Sequence, residues 1–470
     1  MANNSSKITL ISPAPDHGLS EMQSPHHGLA YIGATLLKNQ YNANVIDAKT
    51  LHLKTDEVIS QVLREKPDIV GITAMTPDII WANKIAEGIK KELPKTVIIL
   101  GGPHCTALPE KTLQEFPFFD FLILGEGEIT IIELLEALKN GNGASNFKRI
   151  EGIAFRENGK NIITPSRSLI SDLESIPFPA WGLFPPSTDY PVYASRGCPF
   201  NCVFCMRVLG SKVRVRQPEN IVREIEWLVQ QNKKFFWFSD ETFGVKKEWL
   251  YKLLDLIIAK GLNKKINWSA NSRVNLADYD TYMKMKEAGC VEINFGIESG
   301  SNEILSKVHK GFTTEMAKKA IAIAKKAGFK TGAFFIIGHP YETHSTIKET
   351  INLAAELNTT EAAFGLMVPY PGTKVFELAN KGEAGYLKAS ENWDEYRKYF
   401  GASLEFKNFS SAELKKYQVK AYINFYIKNY RFKELFLFLY RHKRSLINFI
   451  KNKFKKILIP SGIKDDFAKT

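Results

Sequence analysis

The feature of this chain that most limits how it can fold is a loop with three closely spaced cysteines. Cys198, Cys202 and Cys205 lie in a C-x3-C-x2-C pattern. Thiolates this close in sequence can surround one metal centre, and soft sulfur ligands suit iron–sulfur clusters, zinc or copper. A structural zinc site needs four ligands, and no fourth Cys or His follows at the usual short spacing. Three cysteines on a four-iron cluster would leave one iron open to substrate or cofactor, so the loop predicts a catalytic centre.

The composition is that of a globular protein kept in a reducing compartment. The 470 residues are 44% hydrophobic and 24% charged, which allows two or three domains with sizeable cores. Of the five cysteines three lie in the loop, and the N-terminal stretch has no apolar region typical of a secretory signal. We therefore expect a cytoplasmic protein without a disulfide framework. No apolar run is long enough to span a bilayer.

Residues 1–140 alternate short apolar runs with helical patterns. Strands are predicted at 7–12, 44–47, 69–73, 96–100 and 119–124. This rhythm is typical of a doubly wound parallel sheet, an α/β fold that binds ligands at the carboxyl ends of its strands. Three loops at those ends, 73–76, 101–104 and 125–128, are polar or rich in glycine. None is a G-x-G-x-x-G fingerprint followed by an acidic residue, so a nicotinamide cofactor is not indicated. Spacing alone favours tight turns for the glycine pairs.

The middle of the chain divides into a linker and a second α/β region. Residues 141–190 contain turn signals, a predicted hairpin and several prolines, and we assign them as the domain linker. In residues 191–385 about six strand–helix repeats predict a partial (β/α)6 barrel. Chemistry in barrels lies at the carboxyl ends of the strands. The polar residues predicted at those ends, beside the cysteine loop, are Asp240, Glu241, Arg273, Glu298 and Ser299, with Gly338 after a later strand.

The region 190–375 resembles the radical S-adenosylmethionine superfamily, through the cysteine loop, the aromatic Phe204 within it and the ordered strand ends. The resemblance implies that the three cysteines hold a 4Fe-4S cluster whose open iron binds S-adenosylmethionine. It further implies that Asp240 and Glu241 meet the amino group of S-adenosylmethionine, and that its carboxylate and ribose meet Arg273, Glu298 and Ser299. Phe204 and Gly338 complete the implied site. Three other interpretations stay open: a buried ion pair of Arg273 or Glu298, a helix N-cap at Asp240, and zinc at the cysteines.

The N-terminal loops resemble those of the cobalamin-binding domain that precedes many radical S-adenosylmethionine enzymes. The resemblance implies corrinoid contacts from one set of residues: Thr73, Thr76, Gly101, Gly102, His104, Gly125, Glu126 and Gly127. The fingerprint D-x-H-x-x-G is absent, since Asp16-His17-Gly18 lacks its spacing, so no histidine is placed to ligate cobalt from below. We interpret His26 and His27 as core or surface residues, and Cys105 and Cys290 as small buried ones.

The C-terminal region, 386–470, is basic and aromatic. Between residues 411 and 460, thirteen Lys and Arg oppose two glutamates, so this stretch carries +11 of the net charge of +13. The pattern predicts helices that pack on the barrel with solvated charges. The alternative is an interfacial helix on anionic lipid. We expect no nucleic-acid partner, because no RNA-binding module accompanies the charge.

Together these features predict an enzyme that methylates an unactivated carbon of a small-molecule or lipid-like substrate. Its cofactors would be a 4Fe-4S cluster, S-adenosylmethionine and cobalamin, with electrons from a reductase or a ferredoxin-type donor. We expect it in the cytoplasm, with peripheral contact at the inner face of the membrane. The alternatives are a radical cyclase or rearrangement enzyme of the same architecture, and a non-catalytic corrinoid- or metal-binding protein.

Overall fold

Two large β-sheets, one mixed and one parallel, organise the chain in the computed structural model, which describes residues 6–16, 24–140, 144–399 and 401–441. The first sheet has the order β2-β1-β3-β4-β5-β6-β7. Its strands are β1 Lys7–Ser12, β2 Asn42–Asp47, β3 Ile69–Thr73, β4 Val97–Gly101, β5 Phe121–Ile123, β6 Ile153–Glu157 and β7 Lys160–Ile163. Its helices are α1 His27–Lys38, α2 Ala48–Leu51, α3 Thr55–Glu65, α4 Ile79–Glu92, α5 Pro103–Ala107, α6 Pro109–Glu115, α7 Glu128–Lys139 and α8 Ala144–Phe147.

Alternation along β1, an interior strand, gives this sheet a core on each face. Ile8 and Leu10 of β1 lie in one apolar cluster with Leu36 of α1 and Leu134 of α7. Ile11 lies in a second cluster, which includes residues of α3 and α4. Successive side chains of a strand point to opposite faces, so one apolar strand can bury both. The predicted doubly wound fold is confirmed.

The hairpin within residues 141–190 extends the first sheet. β6 pairs antiparallel with β5, and β7 pairs antiparallel with β6. Ile153 and Phe155 belong to one core cluster of the sheet and Ala154 to the other. Alternation therefore buries both faces of β6, and the strand covers what would otherwise be the open edge of β5. This part of the predicted linker packs with the N-terminal sheet, so the connecting segment begins only after β7.

The second sheet has six parallel strands in the order β15-β14-β13-β12-β11-β8, which confirms the partial barrel. Its strands are β8 Asp189–Val192, β11 Phe235–Phe238, β12 Asn267–Ser272, β13 Cys290–Glu298, β14 Lys330–Ile337 and β15 Glu361–Leu366, while β9 Ser195–Arg196 and β10 Arg214–Val215 form a separate two-stranded ladder. The helices of this region are α9 Pro218–Gln230, α10 Lys247–Ala259, α11 Tyr279–Glu287, α12 Asn302–Lys307, α13 Thr314–Lys326 and α14 His344–Leu357.

The C-terminal region begins by covering the barrel. It follows α15 Lys374–Asn380 and comprises the antiparallel pair β16 Tyr386–Ala389 and β17 Leu404–Phe406, and the helices α16 Ser411–Lys428 and α17 Phe432–Arg441. Tyr422 and Gln418 of α16 hydrogen-bond the backbone of Phe364 in β15. The predicted packing on the barrel thus describes α16. The basic stretch after α17 lies outside the described residues. Within them, no helix has the length and apolar character needed to cross a membrane.

Candidate active site

The cysteine loop leaves the carboxyl end of β8 and is closed at its base by the β9–β10 ladder. Arg196 pairs with Arg214 in that ladder, and Cys198 N donates to Gly210 O at 3.1 Å. Gly197 has φ +96°, and a Cβ there would lie 2.5 Å from Lys212 O. Only glycine combines this backbone angle with so close an approach. The loop is therefore a closed unit whose first turn depends on Gly197.

The three cysteines differ in exposure and in the charges that surround them. Cys202 is buried, Cys198 is half-buried and Cys205 is exposed. A hydrogen bond with Cys205 and the positive charges of Lys310 and Arg273 together lower the pKa of Cys202 to about 5, although burial opposes the shift. The thiolate is the form of cysteine that ligates metal. The electrostatics at Cys202 therefore fit the predicted cluster.

The cysteine sulfurs that bind a 4Fe-4S cluster lie farther apart than those that bind a single ion, because each cysteine binds a different iron. In the described part of the chain, no group of three His, Cys, Asp or Glu side chains is gathered closely enough to hold one metal ion. The loop nevertheless supplies three thiols within eight residues on one closed turn. This donor set fits a cluster that leaves one iron open.

Two carboxylates at the end of β11 support the start of the cysteine loop. Asp240 is buried and accepts hydrogen bonds from Ala194 N at 3.1 Å and from the Ser195 hydroxyl. Burial raises the pKa of Asp240 to about 7. Glu241 is exposed and accepts from Gly197 N at 3.2 Å. The N-cap interpretation of Asp240 is wrong, because α10 begins at Lys247 and its N-cap position is Lys246.

Arg273 follows β12 and lies beneath the cysteine loop. Its Nη1 lies 3.6 Å from Cys202 Sγ, its Nη2 donates to Lys310 O, and its guanidinium stacks 3.7 Å from the centre of the Phe200 ring. Stacking on Phe200 and bonding to a carbonyl orient the planar guanidinium. The predicted ion pair therefore does not describe Arg273, whose contacts are with the loop and its support.

The ion pair at the mouth joins Glu298 to Lys310, a residue that the sequence analysis did not single out. Lys310 Nζ lies 3.3 Å from Glu298 Oε1, with side-chain exposures of 7% and 12%. Lys310 Nζ also lies 5.8 Å from the centre of the Phe204 ring. Lysine is almost never buried without a partner, and Glu298 supplies that partner here. The only sequence signal was a lysine between the apolar residues of 304–312.

The backbone at the end of β13 is strained where it presents Glu298. This residue has φ +71°, and the register with β14 shifts between Gly296 and Glu298. A non-glycine residue in this region costs about 1 kcal/mol or more, and such strain gathers at functional sites. Ser299 differs from the prediction, since its hydroxyl is fully buried and bonds Thr350 Oγ1 at 3.2 Å. It holds the turn in place rather than facing the mouth.

The end of β14 adds a histidine that the sequence analysis also missed. His339 Nε2 lies 3.2 Å from Glu298 O, and its ring centre lies 5.7 Å from that of Phe204. Burial lowers the pKa of His339 to about 4, so the ring is neutral. Gly338 has φ +99°, and a Cβ there would lie 2.9 Å from Phe406. Gly338 is thus required by packing against β17, and its neighbour reaches the site.

The loops of the first sheet present an open, glycine-lined edge. β3, β4 and β5 are neighbours, so the loops that follow them lie side by side. A Cβ added at Gly101 or Gly125 would meet no described heavy atom within 4 Å. Met75, on the loop after β3, and Ile129, in the first turn of α7, are 43% and 44% exposed. Open glycines beside exposed apolar side chains fit a large, partly apolar ligand such as a corrinoid.

Other residues predicted to contact the corrinoid pack against the protein itself. A Cβ at Gly102 would lie 2.7 Å from Ala74 O, where Thr73 Oγ1 is also close, and one at Gly127 would lie 3.2 Å from Ile32. His104 is buried, with Nδ1 3.3 Å from Thr76 Oγ1. Its ring packs edge-on against Trp393, with the ring centres 5.0 Å apart. Tertiary packing therefore directs these side chains inward, and Gly101 and Gly125 form the open part of the edge.

Glu126 and its neighbour Glu128 contact the cysteine loop instead of open space. Arg196 donates to Glu126 Oε1 at 2.8 Å and to Glu128 Oε1 at 2.6 Å. Arg214 donates to Glu126 Oε2 at 2.8 Å. Burial acts to raise the pKa of Glu126, but hydrogen bonds from Arg214 and Arg196 outweigh it and leave this pKa lowered. The prediction that Glu126 contacts the corrinoid is therefore replaced by an ionised link between the first sheet and the base of the cysteine loop.

A cavity of about 490 Å³ opens behind Arg196, lined by Tyr31, Tyr193, Arg216, Phe178 and Trp227 among others. The three cysteines are not among its lining residues. It lies on the side of β9 where Arg216 is paired with Glu224. This cavity is therefore separate from the mouth formed by Phe204, Glu298 and Lys310.

Comparison with known proteins identifies the family. An uncharacterized methyltransferase of Pyrococcus horikoshii is 35% identical over 435 residues, which are 90% of this chain and 93% of the relative. Residues 192–354 match the model of the radical SAM superfamily, and residues 20–135 match that of the B12 binding domain. The chain belongs to the radical SAM superfamily. The anaerobic magnesium-protoporphyrin IX monomethyl ester cyclase of Rubrivivax gelatinosus is 32% identical over 80% of this chain and 71% of its own.

Solved structures share the fold. The methyltransferase TsrM from Kitasatospora setae, with cobalamin and a 4Fe-4S cluster bound, superposes with a TM-score of 0.71 at 16% identity, covering 90% of this chain and 89% of its own. OxsB with aqua-cobalamin and S-adenosylmethionine bound gives 0.74 at 16% identity, covering 89% and 66%. The matches confirm the predicted enzyme class and its three cofactors: a 4Fe-4S cluster, S-adenosylmethionine and cobalamin.

Proposed function

We propose that this enzyme transfers a methyl group to an unactivated carbon of a small molecule. The observation that carries the proposal is the contact between the two cofactor edges. The loop after β5, at the glycine-lined edge, is bonded through Glu126 and Glu128 to Arg196, two residues before Cys198. Methylation with a corrinoid requires both cofactors to reach one substrate. With both bound, S-adenosylmethionine cleavage supplies a radical that removes hydrogen, and the corrinoid supplies the methyl group.

We assign the residues of this chain as follows. Cys198, Cys202 and Cys205 ligate the cluster. Glu298 and Lys310 offer one charge of each sign beside Phe204, which complements the ammonium and carboxylate of the amino-acid end of S-adenosylmethionine. Glu241 keeps a carboxylate oxygen for the same ammonium. Arg273, Asp240 and Ser299 position the loops, while His339 and Phe204 form a wall of neutral rings.

Anaerobic reconstitution tests the cofactor chemistry. The iron-loaded protein with a low-potential reductant should form 5′-deoxyadenosine from S-adenosylmethionine, and Cys202→Ala should abolish it. Cys290→Ala is the matched control, because Cys290 is buried in the barrel core away from the loop. The protein purified with hydroxocobalamin should carry a corrinoid absorption spectrum. Failure to form 5′-deoxyadenosine, or the absence of a corrinoid spectrum, would contradict the assignment.

Radical cyclisation is the second candidate, favoured by the 32% identity to the magnesium-protoporphyrin cyclase of Rubrivivax gelatinosus. Methylation is favoured by further relatives, such as the bacteriochlorophyllide d C-8(2)-methyltransferase of Chlorobaculum tepidum at 28% identity. Because both named relatives act on tetrapyrroles, this is the first substrate class to test. With S-adenosylmethionine labelled in its methyl group, methylation places the label in the product and cyclisation does not.

We also propose that the C-terminal helix meets an anionic membrane from the cytoplasmic side, where a reductase or ferredoxin-type donor is available. Phe432, Phe436 and Leu437 of α17 are 60%, 67% and 40% exposed. The basic stretch 443–456 follows directly in the sequence. Exposed apolar residues beside basic ones suit anionic lipid. Leu437→Ser should weaken co-sedimentation with anionic vesicles, whereas Ile163→Ser, at a comparably exposed apolar site on β7 (43% against 40%), should not.

A further inference from the structure

The two cofactor edges are joined by four buried charged side chains, which we call the latch: Glu126, Glu128, Arg196 and Arg214. We propose that the latch couples corrinoid binding to cluster binding, so that each cofactor strengthens the affinity for the other. Its residues are positioning residues that act through the two loops. The inference rests on the proposed function, because it needs both cofactors to bind.

The geometry of the latch ties both ends of the cysteine loop to one carboxylate. Arg196 stands at the start of the loop and Arg214 at its close, and the two are paired in the β9–β10 ladder. Both guanidinium groups donate to Glu126, at 2.8 Å each. Arg214 Nη2 also donates to Leu209 O within the loop at 2.8 Å. Moving Glu126 would therefore move both ends of the loop.

The other side of the latch is the loop after β5. Glu126 and Glu128 alternate with Gly127 directly after Gly125, the glycine that opens toward the proposed corrinoid edge. Glu126 Oε2 accepts a further hydrogen bond from Ile170 N at 2.7 Å, which fixes the carboxylate from the connecting segment. Side-chain exposures are only 3% for Glu126 and 9% for Arg196. A ligand that orders Gly125 thus acts on a carboxylate already fixed to the cysteine loop.

Because the latch is buried, a change in the position of one loop affects the position of the other. An exposed ion pair is weak and tolerates movement, whereas a buried pair that loses its partner leaves an uncompensated charge. Three buried ion pairs therefore hold the latch in one arrangement, and displacing either loop breaks them. Coupling between two binding sites is reciprocal, so the corrinoid must favour the cluster by the same factor as the cluster favours the corrinoid.

The experiment measures the dissociation constant of hydroxocobalamin by absorbance, for the apoprotein and for the cluster-loaded holoprotein. In the wild type the loaded form should bind about tenfold more tightly. Glu128→Gln keeps the shape of the side chain and removes one charge, and Arg196→Lys keeps the charge but loses the fork that reaches both glutamates. We define the coupling ratio as the dissociation constant of the apoprotein divided by that of the cluster-loaded protein. In both variants this ratio should fall towards one, while the affinity of the apoprotein for hydroxocobalamin stays within about twofold of the wild-type value.

Glu133→Gln is the matched control. Glu133 lies on the same helix as Glu128 and also pairs with an arginine, Arg167, which lies in the connecting segment and not on the cysteine loop. The ratio of apoprotein to cluster-loaded dissociation constants in Glu133→Gln should equal that of the wild type. A second readout is iron release to a chelator, which hydroxocobalamin should slow in the wild type and in Glu133→Gln but not in the latch variants.

Three results would overturn the inference. A wild-type ratio of one means that the sites are not coupled. A wild-type ratio retained in Arg196→Lys means that coupling does not pass through the latch. Apoprotein affinity reduced tenfold or more in a natively folded Glu128→Gln, by circular dichroism, means that the carboxylate contacts the corrinoid directly. A wild type that binds no corrinoid refutes the proposed function itself, which separates that failure from these three.

Discussion

The pair of Lys310 and Glu298 gives the sharpest test of the site, through the substitution Lys310→Met. The two side chains are 7% and 12% exposed and their charged atoms lie 3.3 Å apart. At this distance their attraction is roughly 5 kcal/mol at an effective dielectric constant of about 20, and desolvation of both charges offsets much of it. Methionine keeps the apolar stem and removes the ammonium.

Two separate losses are expected from this substitution. Glu298 is left buried without its partner, which should lower the free energy of unfolding by about 3 kcal/mol. A charge-assisted hydrogen bond to the carboxylate of S-adenosylmethionine is also lost, worth about 1.5–3 kcal/mol or roughly tenfold to a hundredfold in affinity. Since Lys310 also helps to lower the pKa of Cys202, cluster assembly should shift to higher pH.

The double variant Lys310→Met with Glu298→Gln distinguishes a structural ion pair from a cofactor contact. It removes both charges, so most of the stability should return while the affinity for S-adenosylmethionine stays low. Thermal unfolding under anaerobic conditions measures the first quantity, and the KM for 5′-deoxyadenosine formation reports the second. If the double variant regains wild-type KM, Lys310 serves only to neutralise Glu298 and the proposed cofactor contact is wrong.

Three further predictions concern the cysteine loop, its support at Asp240 and the docking of α16 on the barrel. Gly197→Ala should reduce bound iron after reconstitution to a small fraction, since its Cβ would lie 2.5 Å from Lys212 O at φ +96°, and an unchanged iron content would contradict the closed loop. Raising the pH from about 6 to 8 should destabilise the wild type more than Asp240→Asn, by about 1 kcal/mol in the free energy of unfolding. The reason is that the pKa of Asp240 is about 7 when folded, so the stability of its protonated form is lost as pH rises through that value, and equal pH slopes would refute this. Tyr422→Phe should cost about 1–2 kcal/mol of unfolding free energy, because the N–H of Phe364 loses an acceptor at 3.1 Å, and a neutral result would mean that α16 is not docked on β15.

Much of the fold could be predicted from the sequence because it rests on local pattern. Short apolar runs alternating with amphipathic helices specify parallel sheets, and each predicted strand of the first sheet overlaps an observed one. The hairpin at β6 and β7 was recognised, but its membership of the first sheet was not. Pairing of β6 with β5 depends on which edge is free after folding, and no local periodicity encodes that.

The residues of the site also fall into those that local sequence predicts and those that depend on tertiary contacts. The spacing of Cys198, Cys202 and Cys205 indicated the cluster and the strand-end positions indicated the mouth, because neighbours in sequence remain neighbours on a short loop. The role of Lys310 could not be predicted from the sequence, because it depends on the contact with Glu298, which lies twelve residues away on another element. His339 was passed over for the same reason.

The sequence by itself determined the chemistry and the order of the two α/β regions, because cysteine spacing and hydrophobic period are local properties. Only the tertiary structure decided the direction of each side chain. It turned His104 beneath Trp393, buried Ser299 against Thr350, and joined Glu126 to Arg196 across 70 residues of chain. Those outcomes depend on which surfaces pack together, so a motif that resembles a ligand loop can instead hold the cysteine loop against the first sheet.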